Sequence, residues 1–155
     1  MEESGDFLML IGEHHHNIDE KCRLVVPVKF RDELGKEFIV TRGLDKCLYV
    51  YSMPEWNLIV NKLKTLPFTH KDARNFTRFF LSGAAFSELD RSGRVSLTSP
   101  LIEYAGITKE CVIIGANDHI EIWSKERWEK FLTENEENLS DIAENLFTTG
   151  DFNAL

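Results

Sequence analysis

Cysteine is scarce in this 155-residue chain, and its pattern excludes more than its number. Cys22, Cys47 and Cys111 are scattered, odd in number and without a C-x-x-C pair. That argues against a disulfide scaffold or a structural zinc site, and for a reducing compartment. No apolar run approaches the roughly 20 residues that a membrane-spanning helix needs, so no membrane partner is expected. The opening MEESGDF is acidic and lacks the basic flank of a secretory signal, which makes the cytoplasm the expected location. There is no P-loop, dinucleotide fingerprint, G-x-S-x-G elbow or H-E-x-x-H pair. An enzyme, a cofactor and a bound metal are therefore not expected.

Positive charge is also in short supply, with 18 Lys and Arg against 26 Asp and Glu and a formal net charge of −8. The distribution matters more than the total. The first twenty residues hold six acids and no Lys or Arg, and from Glu121 onward nine acids face three bases. Between Lys21 and Ile120 there are 15 bases and 11 acids. The acid lies at the two ends and the middle is mildly basic. Screening confines each charge to about 10 Å at 0.1 M salt, so a basic face can meet phosphate on an acidic molecule.

What the chain does have is a repeat. NIDEKCRLVVPVKFRDELG (17–35) aligns with ELDRSGRVSLTSPLIEYAG (88–106), which matches Asp19 with Asp90, Arg23 with Arg94 and Gly35 with Gly106 at a spacing of 71. LYVYSMPEW (48–56) aligns with IEIWSKERW (120–128) at a spacing of 72, matching Ser52 with Ser124 and Trp56 with Trp128. An acid, a base, a glycine, a serine and a tryptophan kept in order are the mark of a duplication.

Each copy predicts the same elements. A strand enters a D-x-x-x-R turn and another leaves it, RLVVPV in the first copy and RVSL in the second. A short helical turn then ends at the shared glycine. Two more strands follow, EFIVTR and CLYVYS, then CVIIGA and HIEIWS. Ser52 and Ser124 stand where helix N-caps belong, and Glu55 completes a capping box. Trp56, Ile59, Val60 and Leu63 share a face of the helix after Ser52. Between the copies, LPFTHKDARNFTRFFLSGAA predicts a helix capped by Thr69, with Ala73, Phe76, Phe79 and Phe80 on its apolar side. Trp128, Leu132, Asn135, Leu139, Ile142 and Leu146 predict one long final helix, whose seam fits either the chain's own barrel or another subunit. Four strands per copy, too apolar-poor to stand alone, should interlock in an α+β fold: a small β-barrel or split barrel with flanking helices.

The turns hold the candidate chemistry. Asp19 and Asp90 can accept backbone N–H bonds, and Gly93 can take a positive φ. Arg23 and Arg94 then open the outgoing strands. A planar, permanently charged guanidinium suits phosphate or a guanine edge, but it equally suits its own aspartate as a brace. Spacing alone leaves both readings open.

DEKCRLVVPVKFRDELG resembles the swapped-hairpin DNA-binding motif of AbrB-type regulators, and the two-copy layout from about Leu10 to Leu146 resembles the MraZ family. The resemblance implies a duplicated double-split β-barrel and a ring-forming homo-oligomer. It also implies a cytoplasmic, nucleoid-associated regulator binding double-stranded DNA at direct repeats upstream of the division and cell-wall gene cluster that begins with its own gene. Cys22 stands where that family usually has glycine, and Ile102 where a basic residue is common. The expected DNA contacts are therefore concentrated in the first copy, at Lys21, Arg23, Lys29 and Arg31, with Arg94 from the second. The acidic C-terminal helix is expected to face away from DNA.

The run HHH (14–16) offers a further choice. Alternate strand residues share a face, so His14 and His16 can chelate a metal together, with Asp19 or Glu20, or can sit beside the Arg23 face against phosphate or a subunit seam. The second is the expectation. The repeats are placed at 8–66 and 84–148, with a linking helix at 67–83 and flexible termini at 1–7 and 149–155. The rival to a DNA-binding regulator is an oligomeric scaffold in which both arginines merely brace turns.

Overall fold

The computed structural model describes residues 10–148, and both termini expected to be flexible lie outside that range. Eight strands and six α-helices alternate along it, and the chain divides into two compact units between Ser124 and Lys125. In the first unit each copy supplies four strands. The first contributes β1 (Leu10–Asn17), β2 (Arg23–Val25), β3 (Glu37–Arg42) and β4 (Leu48–Ser52). The second contributes β5 (Ala85–Glu88), β6 (Arg94–Ser96), β7 (Glu110–Asn117) and β8 (Ile120–Ser124).

The strand order shows how the copies interlock. The main sheet runs β1-β7-β8-β4-β3-β5, and β2 pairs with β6 in a separate ribbon. Exchanging each strand for its repeat equivalent reverses the six-stranded order onto itself, so a pseudo-two-fold passes between β8 and β4. Only β3–β4 and β7–β8 are pairings within a copy; β1–β7, β3–β5, β4–β8 and β2–β6 all cross between copies. The repeats are thus two halves of one core. The six-stranded sheet is open, with β1 and β5 at its edges.

Strand alternation sorts two hydrophobic layers. Phe38, Val40, Leu48, Val50, Ile113, Ile120 and Ile122 face one side, where Leu24 and Val95 of the ribbon close over them. Phe30 and Leu34 of α1 (Val28–Leu34) and Leu101 and Ala105 of α4 (Ser99–Ala105) complete this layer. Both helices are seven residues long and both end at a glycine of positive φ, Gly35 and Gly106, where the shared glycine predicts a stop. On the other side Ile39 and Tyr51 pack with Trp56 of α2 (Met53–Lys64) and Phe80 of α3 (Lys71–Ser82). Ile59, Val60 and Leu63 of α2 join them, as their spacing predicts.

Ser52 caps α2 by accepting the Glu55 N–H at 3.4 Å. The cap of α3 falls on His70 and not on Thr69. The His70 N–H bonds to the Pro67 carbonyl at 3.0 Å, which draws Thr69 into a turn and delays the helix by one residue. The strand leaving the first hairpin is also shorter than RLVVPV: β2 stops at Val25 because Pro27 begins the entry to α1.

In the second unit the expected single helix is two, α5 (Lys125–Glu136) and α6 (Leu139–Thr148). Asn135 Nδ2 donates to the Phe131 carbonyl at 2.8 Å, and Asn138 N–H takes the Asn135 carbonyl at 3.1 Å, tightening the last turn of α5. An asparagine side chain that competes for helix carbonyls weakens a helix at that point. Trp128 stacks on Phe131 at 5.3 Å, while Leu139, Ile142, Leu146 and Phe147 are exposed. No described helix is long and apolar enough to cross a membrane.

Candidate nucleic-acid interface

β1 and β5 each run into a hairpin built the same way. Asp19 N–H donates to the Arg23 carbonyl and Cys22 N–H to the Asp19 carbonyl, both at 3.0 Å. The Asp19 carboxylate accepts the backbone N–H groups of Lys21 and Arg23 at 2.9 Å on one oxygen and Arg23 Nε at 2.8 Å on the other. In the second hairpin Asp90 accepts Ser92 N–H and Arg94 N–H at 2.9 Å and Arg94 Nε at 2.8 Å. These bonds, led by the backbone N–H of Arg23 and of Arg94, hold both carboxyls below their ordinary value of 3.8. The aspartate is the frame on which each turn closes, and its charge is committed.

Each arginine uses Nε for that brace. The terminal nitrogens of Arg23 form no hydrogen bond among the described residues, and its side chain is 28% exposed. Arg94 is 29% exposed, and its Nη1 lies 3.8 Å from Asp19 of the other hairpin. The bracing and the ligand-seeking readings are therefore compatible, because they employ different edges of one guanidinium.

The interlock brings the hairpins together. In the β2–β6 ribbon Arg23 is opposite Ser96, Leu24 opposite Val95 and Val25 opposite Arg94. Leu24 and Val95 point into the core at 0% and 1% exposure, so Arg23 and Arg94 project from the opposite face. They occupy diagonal positions, about 7–8 Å apart at their origins. Val26 N–H bonds to the Gly93 carbonyl and Leu97 N–H to the Cys22 carbonyl, each at 2.9 Å, locking hairpin to hairpin across the pseudo-dyad.

The other candidates do not all gather here. Lys21 is exposed in the first turn. Arg31, grouped with the first hairpin by sequence, lies against the second: a Cβ added to Gly93 would collide with its guanidinium carbon. Lys29 points instead toward β1, where its Nζ would stand 3.5 Å from a Cβ on Gly12. His14 shares that neighbourhood and sets its ring edge-on to Phe30 at 5.2 Å. Its Nε2 is buried with no hydrogen-bond partner in the described residues. Burial, then the nearby Lys29 charge, lowers its pKa from 6.5. His14 is thus half-buried on β1, with its ring against Phe30 and the Lys29 charge nearby. His16 is half-buried on the same face of β1. No three His, Cys, Asp or Glu side chains converge as a metal site among the described residues.

Two features escape a reading along the sequence. Arg91 is exposed in the second turn, where the first has Glu20; aligning the repeats position by position is the signal that marks it. His119, isolated in the sequence, is held between Asp118 at 2.8 Å and Glu121 at 2.9 Å beside the rings of Tyr49 and Tyr51. Burial opposes its charge, but the bonds and charges of Glu121 and Asp118 outweigh that and raise its pKa above 6.5. This cluster sits at the β7–β8 turn, on the α2–α3 side of the sheet, and acts as a structural clamp.

A duplicated α+β protein whose copies exchange strands to set two Asp–Arg hairpins side by side belongs to a class built by doubling one swapped-hairpin unit. Comparison with protein families agrees: the model described as "MraZ protein, putative antitoxin-like" matches twice, over residues 9–79 and 80–150. The chain belongs to the MraZ family. The two matches meet inside α3, so the family unit divides the linking helix between the copies.

Proposed function

We propose that the protein is a sequence-specific, non-catalytic DNA-binding transcriptional regulator, and that the hairpin face is its DNA surface. The observation that carries this reading is the pairing of Arg23 and Arg94 on one outward face, with each Nε braced by its own aspartate and the terminal nitrogens of Arg23 making no hydrogen bond among the described residues. A two-stranded ribbon fits a major groove about 12 Å wide, and a rigid guanidinium there can take phosphate oxygens or the O6 and N7 of guanine. The antitoxin-like description of the family supports a regulatory role. Lys21 and Arg23 of the first hairpin, and Arg94 of the second, supply the contacts. Lys29 and His16 lie farther along the same subunit and serve a phosphate or a subunit seam. The functional repeats span 8–66 and 84–148, joined by the helix at 67–83, and complete a double-split barrel in the assembled protein.

One subunit with so few cations binds weakly and in a salt-sensitive way. A ring of copies engaging evenly spaced direct repeats multiplies that by effective concentration. The target in this reading is the repeat array upstream of the protein's own gene, at the head of the division and cell-wall cluster, which places the protein at the nucleoid. The engagement of both Nε atoms as braces is what favours the rival, a scaffold without DNA. Fluorescence anisotropy with a duplex of the upstream repeats, at two salt concentrations, separates them. Affinity falling steeply with salt, and weakened in an assembled Arg23→Ala protein, is the expected result. Wild-type protein with no preference for that duplex over a scrambled one would refute the proposal.

A further inference from the structure

Repeat symmetry makes residue 22 the equivalent of 93, and residue 31 the equivalent of 102. Both pairs differ in identity, and the structure shows that the differences belong together. Gly93, at φ 76, has no Cβ, and the guanidinium of Arg31, through its Cζ, Nη2 and Nη1, occupies the space one would fill. Arg31 Nε is tied to the Val26 carbonyl at 2.8 Å, and Val26 N–H is tied to the Gly93 carbonyl at 2.9 Å. A cation from the first copy is thereby seated on the hairpin of the second. Across the pseudo-dyad, Cys22 carries the Cβ that Gly93 lacks, and Ile102 is packed on the core where a second arginine would stand.

The terminal nitrogens of Arg31 form no hydrogen bond among the described residues. Asp90, on that hairpin, makes no ion pair with them; its carboxylate accepts two backbone N–H groups and Arg94 Nε. Arg31 and Asp90 nonetheless line one open groove, with Asp32, Lys36 and Leu89. A part-buried guanidinium held by a single backbone carbonyl, with its outer edge open, is a cation fixed in place for an anion. The turns differ in the same direction. The first offsets Lys21 and Arg23 with Asp19 and Glu20, whereas the second sets Arg91 and Arg94 against Asp90 alone.

We infer that the second hairpin is the stronger DNA-binding element, and that Arg31, borrowed from the first copy, is its specificity-determining partner to Arg94, seated there because residue 93 is glycine. This rests on the DNA-binding reading and reverses the assignment that the linear sequence suggests. Its ligand is the phosphodiester backbone, or a guanine edge, of duplex DNA. Arg31 is a residue whose partner hairpin only the strand exchange reveals.

A double-mutant cycle tests it, read by anisotropy with the upstream-repeat duplex and with circular dichroism and light scattering as checks on fold and assembly. Arg31→Ala is expected to weaken binding about ten-fold and to flatten the salt dependence by about one released ion per engaged subunit. In an Arg94→Ala background the same change is expected to have less than about a three-fold effect; in an Arg23→Ala background it keeps its full effect. Gly93→Ala, which evicts the guanidinium, should mimic Arg31→Ala. Arg31→Gln, which keeps a side-chain N–H for Val26, replaces the alanine variant if that one misfolds. Cys22→Gly with Ile102→Arg should build a second seat and tighten binding several-fold. Coupling of Arg31 to Arg23 in place of Arg94, or unaltered binding by folded Arg31 variants, overturns the inference while the function stands. Absence of binding by the wild type overturns the function itself.

Discussion

Replacing Cys22 by glycine isolates the backbone strain in the first hairpin. Cys22 stands at φ 61 in the left-handed region, where its counterpart Gly93 stands at φ 76. A side chain in that region costs roughly 1–2 kcal/mol that glycine does not incur. Against this, glycine has more freedom to lose on folding, about 0.5–1 kcal/mol, and the half-buried thiol forfeits some apolar contact. The expected net is a stabilisation of about 0.5–1 kcal/mol, or roughly 1–4 °C in melting temperature for a chain of this size. The mirror change should run the other way. Gly93→Ala adds strain at φ 76 and displaces the flexible Arg31 guanidinium, so a loss of about 1–2 kcal/mol, mainly from the backbone, is expected. Urea unfolding under reducing conditions, with unchanged m-values, measures both. A Cys22→Gly protein less stable than wild type by about 1 kcal/mol or more would show that thiol packing, and not φ, governs this turn.

Other outcomes follow from the hydrogen bonds. Asp19 and Asp90 have depressed pKa values, so their contribution is complete above 3.8 and disappears as pH falls through the lowered values. Asp19→Asn and Asp90→Asn should be less stable than wild type at neutral pH and converge with it in acid unfolding titrations. His119 is raised above 6.5, so its contribution is complete below 6.5 and is lost as pH rises through the raised value. His119→Gln should destabilise most in mildly acidic buffer and least in alkaline buffer; a pH-independent difference would exclude the charged clamp. Thr41 is fully buried and its Oγ1 donates to the Phe80 carbonyl at 2.6 Å, tying α3 to β3. Thr41→Val should lower stability by about 1–3 kcal/mol in chemical denaturation, with Thr41→Ser retaining most of it.

Sequence by itself determined whatever is written in local backbone chemistry. The doubled D-x-x-x-R spacing dictates two Asp-framed turns, because an aspartate can satisfy N–H groups only within its own reach. Gly35 and Gly106 stop the short helices because a positive φ is cheap there alone. Trp56, Ile59, Val60 and Leu63 reveal their face through the 3.6 period. Where two neighbouring residues compete for one local role, pattern was less decisive, as with Thr69 and His70 or the break at Asn138.

Tertiary structure alone decided partnership. Nothing in the repeat says that β1 pairs with β7 across copies, since either copy offers the same alternating face. That exchange sets Arg31 on the second hairpin and gathers Asp118, His119 and Glu121 beside Tyr49 and Tyr51. A turn needs only its own few residues, whereas a face assembled from strands far apart in the chain depends on which half closes over which.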